Sequence, residues 1–439
     1  MSQVNILVMS KPFVVVSCPI DTFSGYGARS RDVVRALINS EKYDIKIISQ
    51  RWGNTPYGFL KETNPDDKKM LDAIIQPQLQ RQPDVWIMIS IPDEFQKLGK
   101  FNIGITAGIE TDVCDARFIE GCNKMDLVLG SSQHTVDVFK KTKYDKKDQA
   151  GNTVGTLSLE TPVDVLFEGV DLEKYFYIEP KNLPKTELVK TLDTIDEQFC
   201  FLFVGHWLQG PLGEDRKNTG LLIKTFLETF NNKKGAPALI LKTMRGPASI
   251  MDREEILSKI DGIRKSFKGK LPNIYLLHGE VEDEDVNHLY NHPKVKAMIN
   301  LTKGEGFGRP LLEFTQSKKP IIASNWSGHL DFLNPEFTSL VPGELKQVHP
   351  EVVQDRLILA ESKWFSPDAS YASLLMKDYV NSYKGYIEKG KRLGYYSKTN
   401  FSFEKMQEKL EAIMDKNAPK KVEIKLPNIK KISLPKKND

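Results

Sequence analysis

The 439-residue sequence has only four cysteines, Cys18, Cys114, Cys122 and Cys200, and no CxxC pair. No histidine stands at metal-ligand spacing from Cys114 or Cys122. That argues against a structural zinc or a disulfide framework and fits a reducing, cytoplasmic setting. Long hydrophobic runs are missing too: no stretch approaches the roughly 18 apolar residues of a membrane span. The opening MSQVNILVMSKPFVVV is broken by Lys11 and Pro12 and lacks a basic flank and a small-residue cleavage site, so it does not read as a signal peptide. Excess charge of one sign is also scarce. With 62 Lys+Arg and 58 Asp+Glu the formal net charge is +4, which by itself points to no polyanionic partner. What is present, 40% hydrophobic and 27% charged residues, is the composition of a soluble globular protein with sizeable cores. The length suits two or three domains.

The first half alternates short β-branched runs with helical patterns. FVVVSC (13–18), DIKIIS (44–49), DVWIMIS (84–90), NIGIT (102–106) and DLVLGS (126–131) read as strands, and ARSRDVVRALIN (28–39) as a helix. In that helix Val33, Val34, Leu37 and Ile38 share one face, leaving Arg29, Arg31 and Arg35 on the rest, a hint of a basic surface suited to a lipid acceptor. VDVLFEGVD (163–171) ends this half, and a charged, proline-bearing stretch, 172–197, reads as a linker. A second series follows in FCFLFVG (199–205), ALILKT (238–243), NIYLLHG (273–279), VKAMINL (295–301) and PIIAS (320–324). The expected fold is α/β: two Rossmann-like, doubly wound domains, 1–171 and 198–400, facing a central cleft. From about Trp364 the pattern turns helical, and 418–439 is a lysine- and proline-rich tail. It reads either as a solubilising segment or as an electrostatic arm for nucleic acid.

The densest chemistry lies in GEGFGRPLLEFTQSKKPIIASNWSGHLDFL (304–332). Gly304, Gly306 and Gly308 let the backbone approach a ligand, and Pro310 suits the first turn of a helix whose free N–H groups would face an anion. Glu305 and Glu313 could face one ligand, and a carboxylate accepts both hydroxyls of a vicinal diol such as ribose. Arg216 and Lys217 follow the first strand of the second series; alone they read as a solvated basic turn. In LLHGEVEDEDVNHLY (276–290) the acidic run makes a good helix start. In IDTFSGYGARSRD (20–32), Gly25 and Gly27 follow a strand, but Ser30 stands where a dinucleotide fingerprint needs its third glycine. Glu110 and Asp112, in GIETDVCDARF, are cleft candidates or caps of the next helix, and His134 reads as a surface or packing histidine.

The 304–332 segment resembles the Glu-x7-Glu signature of retaining glycosyltransferases of the two-domain GT-B fold, especially family 4, and similarity extends along most of the chain. The resemblance implies that 1–171 is the acceptor-side domain, that 198–400 holds the nucleotide-sugar donor, and that a helix over 401–417 crosses back to the first domain. It implies that Glu313 binds the ribose, that Glu305 and the backbone around Phe307 and Gly308 face the donor sugar, and that Arg216 and Lys217 neutralise the donor diphosphate. The loop at Gly279 and Val281 would hold the base through backbone atoms, and the Gly25–Gly27 loop would reach into the cleft. WFSPD (364–368) and NFSFEKM (400–406) resemble the family's closing helices. Departures are Gln316–Lys319, His329–Asp331, a longer loop at Gly210–Asp215, and the absence of a histidine near Glu110. The implied function is retaining transfer of a hexosyl or pentosyl group from a nucleoside diphosphate sugar, UDP- or GDP-linked, with no metal or other cofactor, to a glycan or surface polymer. Two alternatives stand beside it: a DNA-modifying transferase acting on hydroxymethylated bases, and a non-enzymatic sugar-nucleotide or glycan-binding module. An epimerase or phosphorylase fits the signature less well.

Overall fold

Apolar, β-branched runs that can be covered on both sides become parallel strands in this chain. The computed structural model describes residues 11–418, so the opening ten residues and, apart from Ala418, the basic tail lie outside the described residues. Phe13–Cys18 (β1) is buried along its whole length. It pairs with Asp44–Ser49 (β2) on one side and Val85–Ile89 (β3) on the other. Phe101–Thr106 (β4) and Leu127–Gly130 (β5) follow, then a largely exposed hairpin of Tyr144–Lys147 (β6) and Thr153–Leu157 (β7), and finally Val163–Val165 (β8). The first sheet runs β2-β1-β3-β4-β5-β8. The second is built from Cys200–Val204 (β9), Ala238–Lys242 (β10), Ile274–Leu277 (β11), Val295–Asn300 (β12), Ile321–Ser324 (β13) and Ser339–Val341 (β14), in the order β11-β10-β9-β12-β13-β14. Every pairing within both sheets is parallel. Gly343–Gln347 (β15) and Lys363–Pro367 (β16) form a separate antiparallel hairpin.

The helices cover both faces of each sheet. On the first domain they are Gly25–Asn39 (α1), Pro65–Ala73 (α2), Ala116–Cys122 (α3) and Gln133–Lys141 (α4). Ser24, Asn64, Asp115 and Ser132 cap them by accepting from backbone N–H groups of the first turn. The second domain carries Glu187–Asp193 (α5), Thr219–Phe230 (α6), Ile250–Lys265 (α7), Asp283–Asn291 (α8), Arg309–Thr315 (α9), Ala369–Asn381 (α10) and Tyr383–Asn400 (α11). The stretch expected as a linker is itself folded: Leu192 and Ile195, in and just after α5, belong to the second domain's core. Phe403–Asn417 (α12) packs elsewhere. Its Phe403, Met406, Leu410, Ile413 and Met414 enter the core formed by β1, β3, β4 and α1.

Two sequence expectations are corrected. The first helix starts at Gly25 rather than Ala28, because Ser24 supplies the cap and its hydroxyl accepts from the Gly27 N–H at 2.9 Å. WFSPD is a strand, β16, rather than part of a closing helix. Trp364 is fully buried there, and the helix begins only after Pro367, where Asp368 caps α10. Among the described residues no helix is long and apolar enough to cross a membrane.

Candidate active site

In the second sheet the strand order reverses between β9 and β12, and the loops leaving those two strands meet at that switch point. Asn218, in the left-handed region at φ 58°, turns the first loop into α6 and donates from Nδ2 to the Leu301 carbonyl at 3.1 Å. Asp215, almost fully buried, accepts from the Thr219 N–H at 3.2 Å. The Arg216 carbonyl accepts from the Lys303 N–H at 2.8 Å, and Arg216 Nη1 donates to the Gly304 carbonyl at 3.0 Å. These bonds bring the predicted cations onto the predicted acid. Lys217 Nζ lies 2.5 Å from Glu305 Oε1, and Arg216 Nη1 lies 3.6 Å from Glu305 Oε2. Glu305 is 5% exposed, and its backbone is fixed by Ser327 Oγ and the Gly328 N–H. Burial pushes its carboxyl upward, but Lys217 and then Arg216 outweigh burial and hold it at about 2.

The first domain closes on this loop. Glu110 Oε1 comes within 3.6 Å of Arg216 Nη1, and Ser131 Oγ donates to the Gly306 carbonyl at 3.0 Å. A Cβ on Gly306 would overlap the Ala107 carbonyl oxygen and crowd Gly108, so glycine is what permits the two backbones to touch. Gly308, at φ 96°, ends the loop and opens α9. The N–H groups of Gly306, Phe307 and Gly308 donate to no protein acceptor among the described residues. The Phe307 side chain is core, packed 5.0 Å from the Phe332 ring, so its backbone alone can face a ligand.

Glu313, one turn into α9, has different surroundings from Glu305. It accepts from Arg309 Nε at 3.0 Å and borders a cavity of about 200 Å³ shared with Tyr175, Asp283 and Asp32. Burial raises its carboxyl to about 8 against the opposing pull of Arg309, and Asp283 adds to the rise. A neighbouring cavity of about 320 Å³ holds Val281, Lys242 and Met244 of the second domain and Phe23, Ser24, Arg31 and Phe59 of the first. Gly279 stands beside it at φ 102°, its carbonyl accepting from Lys242 Nζ at 2.6 Å. Phe23 and Phe59 also border a larger cavity of about 1010 Å³ that continues past α8 to Lys174 and Tyr177. Gly25 and Gly27 line none of these three; they sit in the first turn of α1, Gly27 against the Thr22 carbonyl.

Other sequence readings are settled by packing. Neither Glu110 nor Asp112 caps α3; Asp115 does, while Asp112 accepts from the Lys363 N–H at 2.7 Å across the domains. The arginines of α1 give no basic outer surface. Arg29 is fully buried and bonded to the Leu166 and Phe167 carbonyls, Arg31 to those of Ile20 and Thr22, and Arg35 pairs with Asp171 at 2.7 Å. His134 packs edge-on to Trp326 at 4.7 Å, and burial lowers it to about 4. Sequence reasoning passed over Arg309, Asp32, Glu168 and Lys242. Arg309 stood inside the signature, but an arginine at a helix start ordinarily points to water. Among the described residues no group of three or more His, Cys, Asp and Glu is placed to hold a metal ion.

No protein-family model and no curated protein matches the chain. Solved structures match along nearly its whole length. A sucrose-phosphate synthase from Thermosynechococcus elongatus has a TM-score of 0.59 at 12% identity, covering 92% of this chain and 98% of that one. An α,α-trehalose-phosphate synthase (UDP-forming) from Burkholderia xenovorans, in complex with glucose-6-phosphate, has a TM-score of 0.58 at 11% identity, covering 91% and 99%. Anabaena HepE, in complex with UDP and glucose, has a TM-score of 0.56 at 12% identity, covering 92% and 100%. The fold is GT-B. Its two parallel sheets and the cleft between them are what the chain shares with these structures.

Proposed function

We propose that the protein is a glycosyltransferase that moves a sugar, with retention, from a nucleoside diphosphate sugar to a glycan or surface polymer. The observation that carries this reading is the buried Lys217–Glu305 pair with Arg216 beside it, at the switch point of the second sheet of a GT-B fold. UDP is the favoured carrier: one structural neighbour was solved with UDP and glucose, and another is a UDP-forming synthase. In this reading the diphosphate lies between Arg216, Lys217 and the free N–H groups that open α9. As the bond from the anomeric carbon to the phosphate oxygen breaks, the departing diphosphate gains negative charge, and those fixed donors stabilise it. Glu305 orients Lys217 and faces the sugar; Glu313 takes the ribose hydroxyls; the Gly279–Val281 loop takes the base. No metal is assigned a role.

The test is hydrolysis of a panel of nucleotide sugars without acceptor. Wild-type protein should cleave at least one UDP-sugar, and Lys217→Ala should lower that rate by about a hundredfold or more. Wild-type turnover in the variant removes the assignment. Binding of nucleotide sugars with no cleavage of any would leave a binding module instead.

A further inference from the structure

Arg309 opens α9 and belongs to the second domain, yet its shortest bond is to the first. Nη1 donates to Asp32 Oδ2 on α1 at 2.6 Å and lies 3.6 Å from Glu168 Oε2, while Nε donates to Glu313 Oε1 at 3.0 Å. Asp32, Glu168 and Glu313 are each under a tenth exposed, so three buried carboxylates converge on one half-buried guanidinium. A planar guanidinium holds them through a fixed fork of N–H donors, so one positive charge is divided among three negative ones. Asp32 and Glu168 also face Arg35 and Arg29, respectively, whereas Arg309 is the one cation bonded to Glu313 among the described residues. The first domain therefore draws on the same cation as the carboxylate at the mouth of the nucleotide cavity.

We propose that Arg309 is a positioning residue that couples domain closure to nucleotide binding: Asp32 on the first domain competes with Glu313 for it and so sets how Glu313 is charged. The proposal rests on the reading of Glu313 as the ribose ligand. The groups facing Glu313 are Arg309 on its own helix, Asp283 and Tyr290 on α8, Tyr175 before α5, and Asp32 on α1. Asp283 and Asp32 act in the same direction as burial, toward the protonated acid, and Arg309 opposes them, with Arg31, Arg35 and Lys174 lining the same cavity. An ionised carboxylate accepts both ribose hydroxyls, whereas a protonated one has a donor where an acceptor is needed. Binding of the diol thus favours the ionised form, draws Arg309 toward Glu313 and loosens its bond to Asp32.

The experiment is calorimetry of UDP-glucose binding to the full-length protein from about pH 6 to about pH 8.5, a range in which its phosphates stay fully ionised. Wild-type affinity should rise with pH. Arg309→Met should move the midpoint up and weaken binding about tenfold at pH 7, the effect of raising the Glu313 midpoint by one pH unit. Asp32→Asn should do the opposite, moving the midpoint down and tightening binding at pH 7. Glu313→Gln should bind weakly with a flat profile. If Arg309→Met and Asp32→Asn both weaken binding with an unmoved midpoint, or if the wild-type profile is flat, the coupling is overturned while the ribose assignment stands. If Glu313→Gln keeps wild-type affinity and profile, or if wild-type protein binds no UDP-glucose, the ribose assignment falls and the coupling with it.

Discussion

Replacing Lys217 by methionine leaves the methylene stem in place and removes the ammonium, stranding Glu305 inside the second domain. The wild-type carboxyl is held at about 2, against an ordinary 4.5. That gap corresponds to about 3 kcal/mol favouring the folded, ionised form at neutral pH. Because the folded value lies below the unfolded one, this contribution is present above about pH 4.5 and is lost as pH falls toward 2. Arg216 stays 3.6 Å away, so it compensates in part, and the expected cost of Lys217→Met at pH 7 is about 3 kcal/mol, the size typical of a broken buried ion pair. The cost should narrow at about pH 3.5, where the wild-type protein is losing the same contribution. Lys217→Met/Glu305→Gln, with no stranded charge, should recover to within about 1 kcal/mol of wild type. Urea denaturation followed by circular dichroism at both pH values measures all three. A single variant as stable as wild type at pH 7, or a double variant no better than the single, refutes the reasoning.

Three further outcomes follow from the same geometry. Gly306→Ala should force the Ala107–Gly108 backbone away, enlarging the radius of gyration in small-angle scattering and depressing donor hydrolysis; wild-type values for both would contradict the contact. Glu313→Gln should weaken UDP binding while Glu305→Gln spares it and depresses transfer; equal losses in calorimetry would contradict their separate surroundings. Leu410→Ala, at a 1% exposed position of α12, should cost about 3 kcal/mol in the first domain's stability, and a loss below about 1 kcal/mol would mean that α12 contributes little to that core.

Most of the parallel strands were legible because a strand covered on both faces is a continuous apolar run, as in FVVVSC and CFLFV. The β15–β16 and β6–β7 hairpins were not: GELKQ is exposed along its length and YDKK nearly so, so neither shows the alternation that marks a half-buried strand. The residues of the switch point stood out because glycines, acids and cations crowd into two short segments. Arg309 did not, because its meaning lies with Asp32, 277 residues away on another domain, and no local pattern encodes that bond. The arginines of α1 misled for the same reason: they look like a polar face until the 163–171 segment, Phe59 and Phe403 of α12 cover them. Gly25 and Gly27 open α1; a helix start and a ligand loop carry the same glycine-rich signal.

The position of α12 has a consequence for how the molecule is made. The core between β1 and α1 is assembled from residues near the start of the chain, yet five of its apolar side chains, Phe403 to Met414, come from the last described helix. A ribosome releases the chain from the N-terminus at about 5–20 residues per second, so the first domain waits tens of seconds with an unfilled apolar groove while the second is synthesised. The second domain, whose strands β9 to β14 form one continuous segment, can complete its sheet before then. Completion of the first domain's core therefore follows synthesis of the second domain, and nascent chains that stop before residue 403 are the ones expected to need a chaperone.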